Sequence, residues 1–468
     1  MANYFNPGEE KIRPGVYFNY QKKEEEVTPG AVDGIAAVIF KSSMGPLGAV
    51  TVLSAKEGYK DIYGEGGTTD VLRETFYGGA SKVIAVRVGN GGKAGMASLS
   101  CESGTVEIAA KYPGAAKFTV TVREKLTNSA QKECIVYLEG MEFEKVTFAS
   151  GDNEAETLKK AFEASTNFTV TVKEATGAIT AVSQTAFSGG EDPKCTNADY
   201  STALAEVEKY YFNTICVDTT DAAVHALVAA FLDRIFQSGR FAIAVFASEQ
   251  SKTLEERKKA AEGFDSEKVV FVLNANCSSG SEELKDYKVA AYIAGIIAAT
   301  PSNESLTHTK LTRYSQLNEL LTNSEIEDAE LRGCLVLSLS ANSDIWVDSG
   351  LNTLVNLEEN QDAGWKKIRR VKTRNEVMYR ANAAADELVG NIGNSTSDRA
   401  VIMTTIQGVL DDMVTEGKLS YADVTEDPDI PVDGDACGFE IDVIDLETAE
   451  HIYLTYFFRR STAVPEEE

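Results

Sequence analysis

The residues Thr214-Ile215-Cys216-Val217, then Ala222 through Gln237, then Phe241-Ala242-Ile243-Ala244-Val245-Phe246 decide the fold. The two outer runs are short, continuous and apolar, with no polar alternation. The segment between them carries Val224, Leu227, Val228, Phe231, Leu232 and Ile235 at helical spacing, and Gly239 stops it. Apolar strands separated by a helix read as a parallel sheet covered on both faces. Val269–Leu273 and Leu335–Leu339 repeat the strand signal downstream, and Gly34–Phe40 and Val83–Val88 repeat it upstream. The core is therefore α/β with a largely parallel sheet.

The texture changes beyond Gly89-Asn-Gly-Gly-Lys-Ala-Gly95, which reads as a glycine hinge. From there to Gly190 the chain is rich in Thr, Val and Gly. Phe118-Thr-Val-Thr-Val-Arg-Glu and Phe168-Thr-Val-Thr-Val-Lys-Glu are near copies that alternate apolar and hydroxyl residues, the pattern of half-buried strands. This is a small β-rich domain inserted into the α/β core. The division expected is a terminal arm at 1–30, a first part of the core at 31–94, the insert at 95–190 and the α/β core at 191–345. A C-terminal domain at 346–449 and a second arm at 450–468 complete it.

In the C-terminal domain, Trp365–Arg374 reads as a strand, followed by helices near Glu376–Val389 and Asp398–Gly417. Lys366, Lys367, Arg369, Arg370, Lys372 and Arg374 place six cations in nine residues. The plain reading is a solvated, charge-balanced edge. The sharper one is a complement to an acidic partner surface.

Both ends are aromatic and β-branched. Val16, Tyr17, Phe18 and Tyr20 lie near the start; Ile452, Tyr453, Leu454, Tyr456, Phe457 and Phe458 lie near the finish. Exposed strands of this kind recruit other chains. They read as intersubunit arms that add strands to neighbours.

Bulk composition limits the alternatives. A chain of 468 residues holds several domains with ample cores. Lys plus Arg is 45 against Asp plus Glu 72, a net charge of −27, which opposes direct nucleic-acid binding. Seven cysteines without CxxC spacing suggest reduced thiols. Met1–Glu10 lacks a signal-peptide pattern, and the apolar run Val289–Ala299 is too short to span a bilayer.

Chemistry is sparse. There is no Walker A, HExxH, GxSxG or EF-hand pattern. His225, His308 and His451 have no local ligand partners, and no metal, cofactor or catalytic residue is expected. Cys216 and Asp218 sit where α/β sheets place ligands, at a strand's carboxyl end. An enzyme or ligand-binding protein using that edge is the competing reading.

The ordered set of stretches Arg13–Tyr17, Gly34–Phe40, Tyr77–Val88, Ala110-Lys-Tyr-Pro-Gly114, Gly350-Leu-Asn-Thr-Leu354, Lys366–Arg370 and Asp398–Gly417 resembles contractile-tail sheath proteins. Such proteins occur in bacteriophages, phage-like elements and phage-tail-like bacteriocins. The resemblance implies an inner α+β domain built from both chain ends and facing a tail tube, with the α/β core and insert further out. It implies a non-enzymatic subunit that polymerises helically around the tube and contracts to drive it through a cell envelope. The implied partners are further copies of itself, the tube protein, and baseplate and terminator proteins, with no nucleic acid and no membrane insertion. The implied place is a virion tail or tail-like particle assembled in a bacterial cytoplasm. Lys366–Arg374 or the helices after it are the implied tube-facing elements.

Overall fold

The computed structural model describes residues 33–458. Its interior is a six-stranded sheet in the order Val269–Val272, Ile243–Ala247, Thr214–Val217, Ile35–Phe40, Lys82–Arg87, Val50–Leu53. Every neighbouring pair is parallel except the last. Val38 faces Cys216 on one side and Ala85 on the other, so a strand from before the insert is zipped between strands from both sides of it. All six residues of Ile35–Phe40 are buried, as a central strand with two covered faces requires.

Helices Asp70–Tyr77 and Tyr287–Ala299 cover one face; Asn197–Val207 and Ala222–Phe236 cover the other. The first pair approaches very closely. A Cβ at Gly295 would run into the Thr75 carbonyl oxygen, and one at Gly78 into that of Tyr292. Only glycines allow the backbones this near. Ala222–Phe236 begins where the Asp221 carboxylate accepts the Ala223 amide at 2.8 Å. The expected strand at Leu335–Leu339 joins the sheet edge by a single parallel bridge, Val272 to Leu335, and then turns into a hairpin with Ile345–Val347.

The insert forms a four-stranded sheet, Met141–Ala149, Asn128–Leu138, Phe118–Lys125, Val182–Ala186, and a two-stranded one, Met96–Ala110 with Phe168–Ile179. The two near-copies fall in different sheets, and their leading rings, Phe118 and Phe168, meet edge to face at 5.1 Å. Helix Glu154–Ala161 closes this core. Glu154 at its first turn is held by buried Lys132 at 2.8 Å and by the Ile179 amide at 2.7 Å.

The expected glycine hinge is corrected. Its two linkers pair with each other through antiparallel bridges Asn90–Lys194, Lys93–Glu191 and Met96–Ser188. The fully buried Arg87 guanidinium then donates to the carbonyls of Ser42 at 2.9 Å, Gly45 at 2.6 Å and Pro113 at 2.7 Å. Asp192 accepts from the Ala115 amide at 2.8 Å and from Ser43 Oγ at 3.2 Å. Glycines such as Gly92, at φ +81°, serve close approach between the paired linkers rather than free rotation.

The C-terminal domain has two helices, Ile368–Asp386 and Thr396–Thr415, packed on a hairpin of Leu419–Glu426 and Phe439–Asp445. Ser395 and Asp398 form a capping box at the second helix. The expected strand at Trp365–Arg374 is instead a 3₁₀ turn, Ala363–Lys366, running into the first helix. Among the described residues this domain is built from the late part of the chain, while Ile35–Arg87 belong to the α/β sheet. The N-terminal arm residues Val16, Tyr17, Phe18 and Tyr20 lie outside the described residues. No described helix is long and apolar enough to cross a membrane.

Candidate assembly interface

The hairpin is the only pairing its two strands have among the described residues, so each presents an outer edge of backbone groups, free apart from the Ala422 carbonyl, which accepts from Gln407 Nε2 at 3.0 Å. One face of it, Phe439, Ile441 and Val443, packs on Val377, Ala381, Ile406, Leu410 and Met413 of the helices. The other carries Glu440, Asp442 and the exposed apolar Tyr421 and Ile444. A two-stranded ribbon is marginal alone and needs this helical backing.

Past the hairpin, Leu446–Glu450 is tied down and Ile452–Phe458 is not. Tyr453 is 92% exposed and Phe458 96%. Residues 451–458 adopt no strand within the chain, and nothing among the described residues pairs with them. Ile452, Leu454, Tyr456 and Phe457 are likewise exposed. A run this apolar and this open is the kind of surface that marks a binding segment.

The basic run is the opposite of a free charged patch. Arg369 is 2% exposed and donates to Asp445 at 2.5 Å and to the Leu446 carbonyl at 2.8 Å. Arg370 reaches Asp362, Asp445 at 3.1 Å and Glu447 at 2.8 Å. Lys367 pairs with Glu450 at 2.8 Å. Buried Lys372 meets Asp33 at 3.2 Å, the Ile297 carbonyl at 2.6 Å and that of Thr300; burial holds its ammonium below the usual lysine range. Arg374 pairs with Glu267 at 3.1 Å and stacks over Trp365. Lys366 is half-buried at the end of the 3₁₀ turn, within electrostatic reach of Asp265. The sequence showed the charges but not their partners, which lie up to 339 positions away, at Asp33 against Lys372.

A second charged knot follows along the same helix. Glu376 accepts from Lys418 at 2.7 Å, from Arg380 at 2.5 Å and from Ser302 at 2.5 Å. Glu416, bonded to Arg380 and Lys418, has its carboxyl drawn down to about 2.

The edge that the competing reading would use is already filled. Asp218 accepts from Tyr200 Oη at 2.5 Å, from the Lys41 amide at 3.0 Å and from Thr68 Oγ1, and pairs with Lys41 Nζ at 3.2 Å. Cys216 points into the core 3.7 Å from Thr75 Oγ1, with burial pushing its thiol up to about 12. Both side chains are spent on holding the fold. A cavity of about 400 Å³ lies elsewhere, between Met44, Tyr63 and Gly64 of the core and Ala116, Leu138 and Phe143 of the insert.

The histidines are likewise structural in setting. His225 stacks on Phe246 at 4.2 Å with Nε2 2.8 Å from the Thr219 carbonyl, and His308 stacks on Trp346 at 3.9 Å. No group of three or more His, Cys, Asp or Glu among the described residues is placed to hold a metal ion.

The mixed α/β fold with its partly parallel sheet is one found in contractile-tail sheath proteins. The sheath tail protein of Desulfitobacterium hafniense superposes with a TM-score of 0.70 at 20% identity, covering 92% of this chain and all, 100%, of that one. The contracted helical sheath of the anti-feeding prophage gives 0.55 at 13% identity, covering 96% and 99%. Residues 193–353 match the family model for the phage tail sheath protein central domain. The phage-like element PBSX protein XkdK of Bacillus subtilis is 24% identical over 472 residues, 96% of this chain and 98% of its own. The sheath resemblance read from the sequence is borne out, with the central domain as its firmest part.

Proposed function

We propose that the chain is a structural subunit of a contractile tail sheath, which polymerises around a tail tube and shortens to drive the tube forward. The observation that carries this is full-length likeness to sheath proteins in a molecule that also has both halves of a strand-exchange contact. One half is the hairpin with two open edges; the other is the exposed aromatic segment beyond Glu450. Strand addition supplies directional backbone hydrogen bonds, and contacts that repeat without closing build a helix. Contraction then needs only two packings of rigid bodies with different energies.

The partners follow from this reading: other copies of the chain first, then a tube protein, and baseplate and terminator proteins at the ends. A baseplate complex of the anti-feeding prophage is among the structural neighbours, which supports the baseplate contact. Its place is a virion tail or tail-like particle assembled in a bacterial cytoplasm. Because the chain's own carboxylates take up most of the basic run, tube contact passes to the second C-terminal helix. That helix exposes Ser397, Val401, Thr404 and Gly408. The reaction is mechanical, with no cofactor and no catalytic step.

Negative-stain electron microscopy of the purified full chain, alone and with tube protein, tests the reading. Hollow tubes or stacked rings with two axial repeats support it; uniform monomers under every condition overturn it.

A further inference from the structure

The first C-terminal helix is built against its own dipole. Its opening two turns carry Arg369, Arg370, Lys372 and Arg374 with no acidic residue in the first turn. Cations there add to the positive end of the helix dipole and destabilise it. Burying Arg369 and Lys372 adds a desolvation cost that ion pairing alone seldom outweighs. Such an arrangement stabilises little compared with apolar packing, but it is highly selective for where negative charge must sit.

Most of the carboxylates that meet this need come from the two ends of the described residues, Asp362 at Arg370 and Glu267 at Arg374 being the exceptions. Asp33, the first of the described residues, has its carboxylate held by Lys372. Asp445 and Glu447, with the Leu446 carbonyl, are held by Arg369 and Arg370. Glu450 is held by Lys367 and accepts from Ser305 Oγ at 2.6 Å and Thr307 Oγ1 at 3.2 Å. Burial alone would raise the Glu450 carboxyl, yet these partners hold it below the usual range. The next residue, His451, is exposed, as is every one to Phe458. The ion pairs end where the exposed segment begins. Lys367 and Lys372 are separated by about 7.5 Å along the helix axis, at about 1.5 Å per residue.

We propose that the basic run Lys367–Lys372 is a clamp that fixes the chain's path from Asp445 to Glu450 on one helix and ties that helix, through Lys372 and Asp33, to the residues just ahead of the central strand. This rests on the strand-exchange reading for what the segment beyond Glu450 then does. A neighbour pulling on that segment pulls first on this helix.

The test uses the full chain with Glu450→Lys, Lys367→Glu, their double swap, and Asp33→Asn. Glu450 lies beyond the last strand, so Glu450→Lys leaves the circular dichroism spectrum of the monomer unchanged and its Tm within a few degrees of wild type. Two readouts are taken: hydrogen exchange of the Leu446 amide, which donates to the Lys418 carbonyl at 3.2 Å, and the critical concentration for polymer by sedimentation. The expected result is at least tenfold faster exchange and about a tenfold higher critical concentration in each single reversal, with both restored in the swap. Asp33→Asn raises the critical concentration without altering exchange at Leu446. Wild-type values in the single reversals, or no rescue in the swap, overturn the clamp. A wild-type chain that never polymerises overturns the sheath reading instead; the exchange data then decide the clamp by the same criteria.

Discussion

His225 shows how one side chain ties the fold to pH. Burial lowers its imidazole to about 4, against an ordinary value near 6.5, so the folded protein keeps it neutral. As pH falls from about 6.5 towards 4, the unfolded chain takes up the proton first and stability drops. The loss approaches about 3 kcal/mol at most, at about 1.4 kcal/mol per pH unit. His225→Phe keeps the stack on Phe246 and removes the titration. Urea midpoints measured from pH 7.5 to 4.5 are expected to fall less steeply in this variant than in the wild type.

Gly295 makes a steric prediction at the same scale. Gly295→Val forces helices Asp70–Tyr77 and Tyr287–Ala299 apart and costs on the order of 1–3 kcal/mol, seen as a lower Tm. In the insert, Lys132→Met leaves buried Glu154 without its cation. The expected cost is about 3–5 kcal/mol, localised by faster hydrogen exchange in Phe168–Ile179.

Among elements, legibility followed side-chain chemistry. Ile35–Phe40, Thr214–Val217 and Ala222–Phe236 were readable because their buried positions are apolar apart from Thr214 and His225, so periodicity and burial coincide. The start of the first C-terminal helix was misread because its buried face contains Arg369, Lys372 and Glu376 beside Ile368 and Val371. A hydrophobic count sees a polar run there, whereas the fold hides the charges by pairing them. The glycine hinge was misread for a related reason. Local composition reports backbone freedom, but bridges to Glu191 and Lys194, about a hundred positions away, remove it. What the basic residues near the C-terminus touch depended on partners distant in sequence.

The same element scale carries the deletion test. Removing 450–468 takes away an exposed segment and one ion pair while leaving all four packed cores. The shortened chain is expected to melt within a few degrees of wild type by calorimetry, yet to form no ordered polymer in the electron microscope.

At the scale of the whole molecule, charge sets the conditions of assembly. A subunit at −27 repels its copies, and screening weakens that repulsion over about 8 Å at physiological ionic strength. Polymer yield is therefore expected to rise between about 20 and 150 mM salt, while a charge-held contact would weaken. Sedimentation across that range distinguishes backbone strand exchange from ion pairing as the main adhesive.

The paired linkers at Asn90–Lys194 through Met96–Ser188 also bear on how such a chain can change over generations. Because the two strands run side by side, the insert enters and leaves the core through adjacent backbone positions, about 5 Å apart as in any antiparallel pair. That makes the junction a socket: another domain with neighbouring termini can be plugged in, provided it keeps an acceptor for Arg87 where the Pro113 carbonyl now stands. Foreign cargo or a new outward face can be grafted there in one exchange, while the lattice-forming parts of the subunit remain as they are.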